Sequence, residues 1–171
     1  MFDLFSQVVD LIRAWQPKKK YRKEVQYRDD LMKFLDSELN SSARFPNQRI
    51  PVLKEKGRAL ADIAIGRAIG IELKKDLKTK AQVDRLKGQL DEYLAEYSSG
   101  VIIVLVGKHD PNAIHMLEIG INRMFPQSPF SSKRIVIIDK TEKQRSRRKS
   151  PKNGGSFGFT IPRIEVPRIR I

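Results

Sequence analysis

The most constraining stretch of this chain is residues 59–74, ALADIAIGRAIGIELK. Apolar residues alternate at Leu60, Ile63 and Ile65, the chain turns near Gly66–Arg67, and alternation resumes at Ile69, Ile71 and Leu73. A period of two predicts two strands of a β-hairpin. Three charged residues interrupt it: Asp62 on the first strand, Glu72 and Lys74 on the second. Their parity places all three on one sheet face. Two carboxylates and an ammonium brought together beside β-branched residues suit a hard divalent cation. The plainer alternative is a strand with a solvated charged face.

The rest of the chain supplies the context. Its 171 residues are enough for one domain with arms. A formal charge of +14 points to a polyanionic partner, nucleic acid first and an anionic membrane second. The excess is concentrated. Residues 18–28 carry Lys18, Lys19, Lys20, Arg22, Lys23 and Arg28 against Glu24, and residues 140–152 carry Arg145, Arg147, Arg148 and Lys149 among seven cations against Glu142. Such arms grip a phosphate backbone and give salt-dependent affinity without sequence choice. Cysteine is absent, which removes disulfides and thiolate metal sites, and two histidines, His109 and His115, are too few for a histidine-rich zinc site. The N-terminal stretch lacks a basic leader and contains Asp3 and Asp10, unlike a secretory signal. No run approaches the ~20 apolar residues of a membrane span. A soluble cytoplasmic protein, with nucleoid association a possibility, is the expectation.

Residues 2–15 predict an amphipathic helix with Phe5, Val8, Val9, Ile12 and Trp15 on one stripe. The stripe can pack on the domain, pair with a second subunit or lie on a membrane surface. Trp15 reads as a core or interface anchor. Pro17 and the lysines after it end the helix. A second helix is expected over 21–39, burying Tyr27, Leu31, Phe34, Leu35 and Leu39, with Glu24 and Arg28 extending that face and Glu38 near its other end. Residues 49–53 read as a strand, an edge one because of Pro51, and residues 54–58 as a hairpin turn. After Lys74 a helix is expected over 79–97, spaced by Val83, Leu86, Leu90, Leu94 and Tyr97. The run VIIVLV at 101–106 predicts a strand buried on both faces. A loop containing His109 and Asp110, read as a surface turn, leads to a helix over 112–125, and RIVII at 134–138 predicts a last buried strand. The result is α/β: a mixed central sheet flanked by helices, ordered α-βββ-α-β-α-β after the first helix.

Three segments follow: an N-terminal helix over 1–17, a central domain over 18–139 and a basic tail over 140–171. Residues 140–156 are expected to be disordered when unbound. The last eleven residues repeat Ile-Pro-Arg-Ile and Val-Pro-Arg-Ile, where each proline removes a backbone donor. This extended end either adds to a partner's sheet edge, in a second subunit for example, or hangs free.

Ala61-Asp62, nine residues, then Glu72-Leu73-Lys74 on a hairpin between two helices resembles the PD-(D/E)XK nuclease superfamily, and Gln89-Leu-Asp-Glu-Tyr93 resembles the Q-x-x-x-Y motif of its RecB-type members. The resemblance implies a restriction-endonuclease-like core over residues 21–106. It departs from the pattern at Ala61, where a proline is expected. It departs again at Arg28, where the corresponding helix of small archaeal junction resolvases carries an acid. Glu24, one turn earlier on the same face, is the first substitute and Glu38 the second. The resemblance implies a Mg²⁺-dependent deoxyribonuclease, with Mn²⁺ a possible replacement, and a homodimer for the structure-selective endonuclease branch. An exonuclease is the competing branch. Asp62 and Glu72 would be metal ligands with the Leu73 carbonyl a third, and Glu24 would act through water. Lys74 would position or deprotonate the attacking water, its pKa lowered by burial or raised by the two carboxylates. Gln89 would orient Lys74 or the water, supported by Tyr93. Two other classes stand beside this one: a nucleic-acid-binding protein on a nuclease fold with weak or lost catalysis, and a basic membrane-surface protein using the first helix and the lysine cluster.

Overall fold

The computed structural model describes residues 3–54, 60–126 and 133–141. Arg145, Arg147, Arg148, Lys149, the proline-punctuated C-terminal end and most of the expected 54–58 turn lie outside the described residues. Helices α1 (Leu4–Ala14) and α2 (Glu24–Leu39) precede strands β1 (Val52–Lys54), β2 (Ile63–Ile65) and β3 (Ile69–Lys75); α3 (Lys80–Glu96), β4 (Gly100–Gly107), α4 (Pro111–Met124) and β5 (Arg134–Thr141) follow. The five strands form one mixed sheet in the order β1-β2-β3-β4-β5. β1, β2 and β3 are antiparallel neighbours, whereas β3, β4 and β5 run parallel, the crossovers being α3 and α4.

Alternation along β3 divides the core. Ile69, Ile71 and Leu73 join Ile63, Ile65, Ile102, Val104 and Val106 under α1 and α2. On the other face Ala64, Val101, Ile103 and Leu105 pack under α3 and α4. β4 is therefore buried along its whole length, as the run VIIVLV predicts. β5 is not. It is an edge strand in which Ile138 alone is fully buried, because an outer strand has one flank uncovered and residues 134–137 stay half-exposed. It also continues through Thr141, into what reads in sequence as the start of the tail. α2 begins at Glu24 rather than Tyr21, since Gln26 Oε1 accepts from the Lys23 N–H and fixes the helix start there.

The structure decides among the three uses of α1. Phe5, Val8, Ile12 and Trp15 are buried in the same core as α2 and β3, at about 1.5–3 kcal/mol each. Asp3 caps the helix through the Phe5 N–H and is ion-paired with Arg134 of β5, whose guanidinium lies over the Phe5 ring at 4.1 Å. The apolar stripe is consumed by the protein's own core and is not available to a membrane. No helix among the described residues is long and apolar enough to cross one.

Candidate active site

Antiparallel register puts Ile63 opposite Ile71, and Asp62, just before β2, bonds Glu72 and Leu73, while Glu72 and Lys74 share the β3 face toward α3. The sequence expects Asp62 on the first strand; it stands one residue before β2, in a bend, and its side chain reaches the β3 edge. The strand pair does not continue, however. β2 starts at Ile63 while β3 runs on to Lys75, leaving part of the β3 edge without a partner strand. Its N–H groups are met by carboxylates instead. Asp62 Oδ2 accepts from the Leu73 N–H at 2.9 Å, and Glu24 Oε2 accepts from the Lys75 N–H at 2.6 Å. The Leu73 carbonyl faces the same edge as the Leu73 N–H. Glu24 therefore belongs to the site although 51 residues separate it from Lys75. Glu38 lies exposed at the far end of α2, and its backbone carbonyl accepts from Ser41.

Glu72 is 3 % exposed. Its Oε1 accepts from Lys74 Nζ at 2.5 Å, its Oε2 accepts from the Asp62 N–H at 3.3 Å, and the Tyr93 hydroxyl donates to the same carboxylate. Burial pushes the Glu72 carboxyl up, and the Asp62 charge adds to this; Lys74 and Tyr93 counter only part of it. For Lys74 burial acts against the ammonium, but Glu72, then Glu24 and Asp62, outweigh it and raise its pKa. Of the two opposing influences on Lys74 left open by the sequence, the carboxylates win. At neutral pH Lys74 is a cation.

This has a stability consequence with a definite sign. A pKa raised on folding contributes stability fully present below the ordinary lysine pKa and lost as pH rises through the folded value. The melting-temperature gap between the wild-type chain and Lys74→Met, followed by circular dichroism, is expected to hold to about pH 10 and narrow above it. A gap indifferent to alkaline pH would show that the ammonium does not hold this pair together.

α3 reaches the site by a matched repeat. Four helical residues advance about 6.0 Å and two strand residues about 6.6 Å, so every fourth residue of α3 meets every second residue of β3. Tyr97 lies over Gly70, Tyr93 bonds Glu72, and Gln89 lines a cleft with Lys74. The Tyr97 hydroxyl also accepts from the Ala61 N–H, tying α3 to the approach of Asp62. Extending the repeat one turn gives Arg85, which sequence reasoning passed over although its i, i+4 spacing to Gln89 was readable. The cleft holds about 250 Å³ and is lined by Glu24, Lys74, Lys75, Gln82, Arg85 and Gln89, along with Leu77.

The floor of the cleft is anchored locally. Asp76 takes a left-handed conformation, φ 56°, that turns the chain from β3 toward α3, and its Oδ1 accepts from the Lys108 N–H at 2.7 Å. His109 does more than fill a surface turn: it is half-buried, Nδ1 accepts from the Leu77 N–H at 2.7 Å, and burial lowers its pKa. Asp110 caps α4 through the Asn112 N–H. The chain matches no family model, no curated protein and no solved structure.

Of the expected nucleic-acid contacts, Lys18, Lys19, Lys20, Arg22 and Lys23 are exposed on the α1–α2 connection. Arg28 differs from these: its side chain is 13 % exposed, and Nε and Nη2 both donate to Asp29 Oδ1, so its guanidinium has a partner within the protein. Asp62, Glu72, the Leu73 carbonyl and Glu24 are all oxygen donors, the chemistry that Mg²⁺ and Mn²⁺ prefer. No group of three or more His, Cys, Asp or Glu side chains among the described residues is arranged to hold a metal. A Mg²⁺ ion bound through one or two carboxylates completes its shell with water and substrate phosphate, and Asp62 and Glu72 are the two residues that would hold it here.

Proposed function

We propose that this protein is a metal-dependent DNA nuclease with a restriction-endonuclease-like core. The observation that carries the reading is the cluster at the end of β3: Asp62 and Glu72 adjacent, Lys74 beside them as a cation, and a cleft that Lys74 lines with Arg85 and Gln89. Phosphodiester hydrolysis needs an aligned water, and negative charge develops on the phosphoryl oxygens. Asp62, Glu72 and the Leu73 carbonyl would hold Mg²⁺, which supplies Lewis acidity and a more acidic bound water. Glu24 stands close enough to the same strand edge to hold an outer water. Lys74, protonated, is suited to stabilising the charge on phosphate and placing the water rather than to removing its proton. Arg85 and Lys75 add charge along the cleft. The +14 of the chain supports a polyanionic substrate.

The test is a gel assay of the purified chain on duplex, single-stranded, flap and four-way-junction DNA, with Mg²⁺, with Mn²⁺ and with EDTA. Cutting that EDTA abolishes is expected, and the preferred substrate separates the endonuclease from the exonuclease branch. Light scattering on the same sample decides whether the chain works as the homodimer we propose for the endonuclease branch. A second reading, a nucleic-acid-binding protein on this fold without catalysis, is favoured by one observation: Lys74 occupies Glu72 Oε1, and among the described residues no three acidic side chains are grouped so as to hold a metal. Salt-sensitive binding with no cutting under either metal would establish it.

A further inference from the structure

A second concavity, of about 390 Å³, opens at the end of the sheet where β4 and β5 finish. Lys19, Lys20, Gln16 and Tyr27 line it from the α1–α2 side, and Lys140 and Thr141 from β5. Its described lining contains three lysines and no carboxylate. The lysine loop is held in place rather than loosely draped. Asp30, 7 % exposed, accepts from the Lys18 N–H at 3.1 Å and from the Tyr21 hydroxyl. The Tyr21 N–H donates to the Tyr27 hydroxyl, and the two rings meet edge to face at 5.0 Å. Opposite, Lys140 is half-buried, and Nζ donates to the Arg13 carbonyl at 2.5 Å, a neutral partner. Burial lowers its pKa. The hollow thus gathers three lysine side chains on an ordered loop and a strand end, a lining whose described residues suit an anion.

The register places this hollow relative to the active-site cleft. Lys75 pairs with Val106, and Val106 with Lys140, so the two lysines stand two strands apart on one sheet face, about 10 Å at the backbone. We propose that the Lys19–Lys20–Lys140 pocket holds one backbone phosphate of a nucleic acid whose strand continues to the cleft that Lys75 borders. The continuation into the cleft rests on the nuclease reading; the phosphate pocket does not. Its role is to fix the position of the strand along the cleft, since phosphate contacts set register without reading sequence.

The experiment is read in EDTA, where nothing is cut. Fluorescence anisotropy of a labelled duplex is measured over a range of NaCl for the wild-type chain, Lys19→Gln/Lys140→Gln, and a charge-matched control, Lys33→Gln/Arg67→Gln, whose residues lie on the exposed side of α2 and at the β2–β3 turn. The pocket variant is expected to bind more weakly, with the slope of log K against log salt shallower by about one. The control is expected to keep most of the wild-type slope. Equal losses in both variants, or an unchanged slope in the pocket variant, would overturn the proposal. So would a pocket variant that loses binding to phosphatidylserine vesicles while its DNA binding is intact. Lys140 touches the Arg13 carbonyl, so if the double variant melts early the exposed Lys19→Gln is compared alone with Lys33→Gln. Absence of cleavage with Mg²⁺ would remove the nuclease reading and leave this result standing; a normal slope alongside normal cleavage would remove only the pocket.

Discussion

Lys74→Met is expected to lower metal-dependent cleavage by about 10²–10⁴-fold while leaving DNA affinity in EDTA within a few-fold of wild type. Methionine keeps much of the aliphatic stem and its packing but removes the charge that lies 2.5 Å from Glu72 Oε1. Glu72→Gln, close to isosteric, keeps an oxygen for the Asp62 N–H and removes the negative charge a metal needs, so cleavage is expected to fall at least as far. Single-turnover rates with saturating enzyme separate the chemical step from binding. Two variants that cut as fast as wild type would end the assignment of this cluster as catalytic, whatever the substrate. Two variants that fail to cut and also fail to bind DNA would place the effect in folding or affinity instead.

Gly70→Ala is expected to be the more damaging change to the fold near the site. A Cβ at this position would lie 2.4 Å from two carbons of the Tyr97 ring, and that ring is fully buried. Tyr97 cannot swing away freely, because its hydroxyl receives the Ala61 N–H and its backbone N–H closes on the Tyr93 carbonyl at 2.9 Å. Relief has to come from lifting the end of α3 off β3. Overpacking of this kind costs about 1–3 kcal/mol, which corresponds to a melting temperature lower by several degrees for a chain of this size. Moving α3 also moves Tyr93 and Gln89, so activity should fall further than the lost stability alone explains at a temperature where the variant is folded. A variant with unchanged melting temperature would mean that the ring does not rest on this glycine.

The hairpin face was legible because alternation is strict: with a period of two, the parity of Glu72 and Lys74 follows as soon as the strands are recognised. α3 and the β4 run were legible for the same reason, long and unambiguous periodicity. Glu24 was legible only through a resemblance, since no local pattern says that the first residue of one helix will receive an amide 51 positions later. The half-exposure of β5 was not legible at all. RIVII has the composition of a central strand, and only the strand order makes it an edge. His109 was misread for a related reason, as the Leu77 amide that it accepts arrives from a different loop.

The early end of β2 gives Asp62 and Glu24 two occupations. Each oxygen that stitches the β3 edge is also an oxygen that the proposed cation would draw upon, so structural closure and the proposed reactivity would compete for the same lone pairs. A chain in which β2 ran two residues further would seal that edge with ordinary strand pairing and gain stability. It would also wall off the opening and bury the acids behind a backbone. Under the proposed function, the unfinished strand is a place where selection for a tighter protein and selection for a working one would pull in opposite directions.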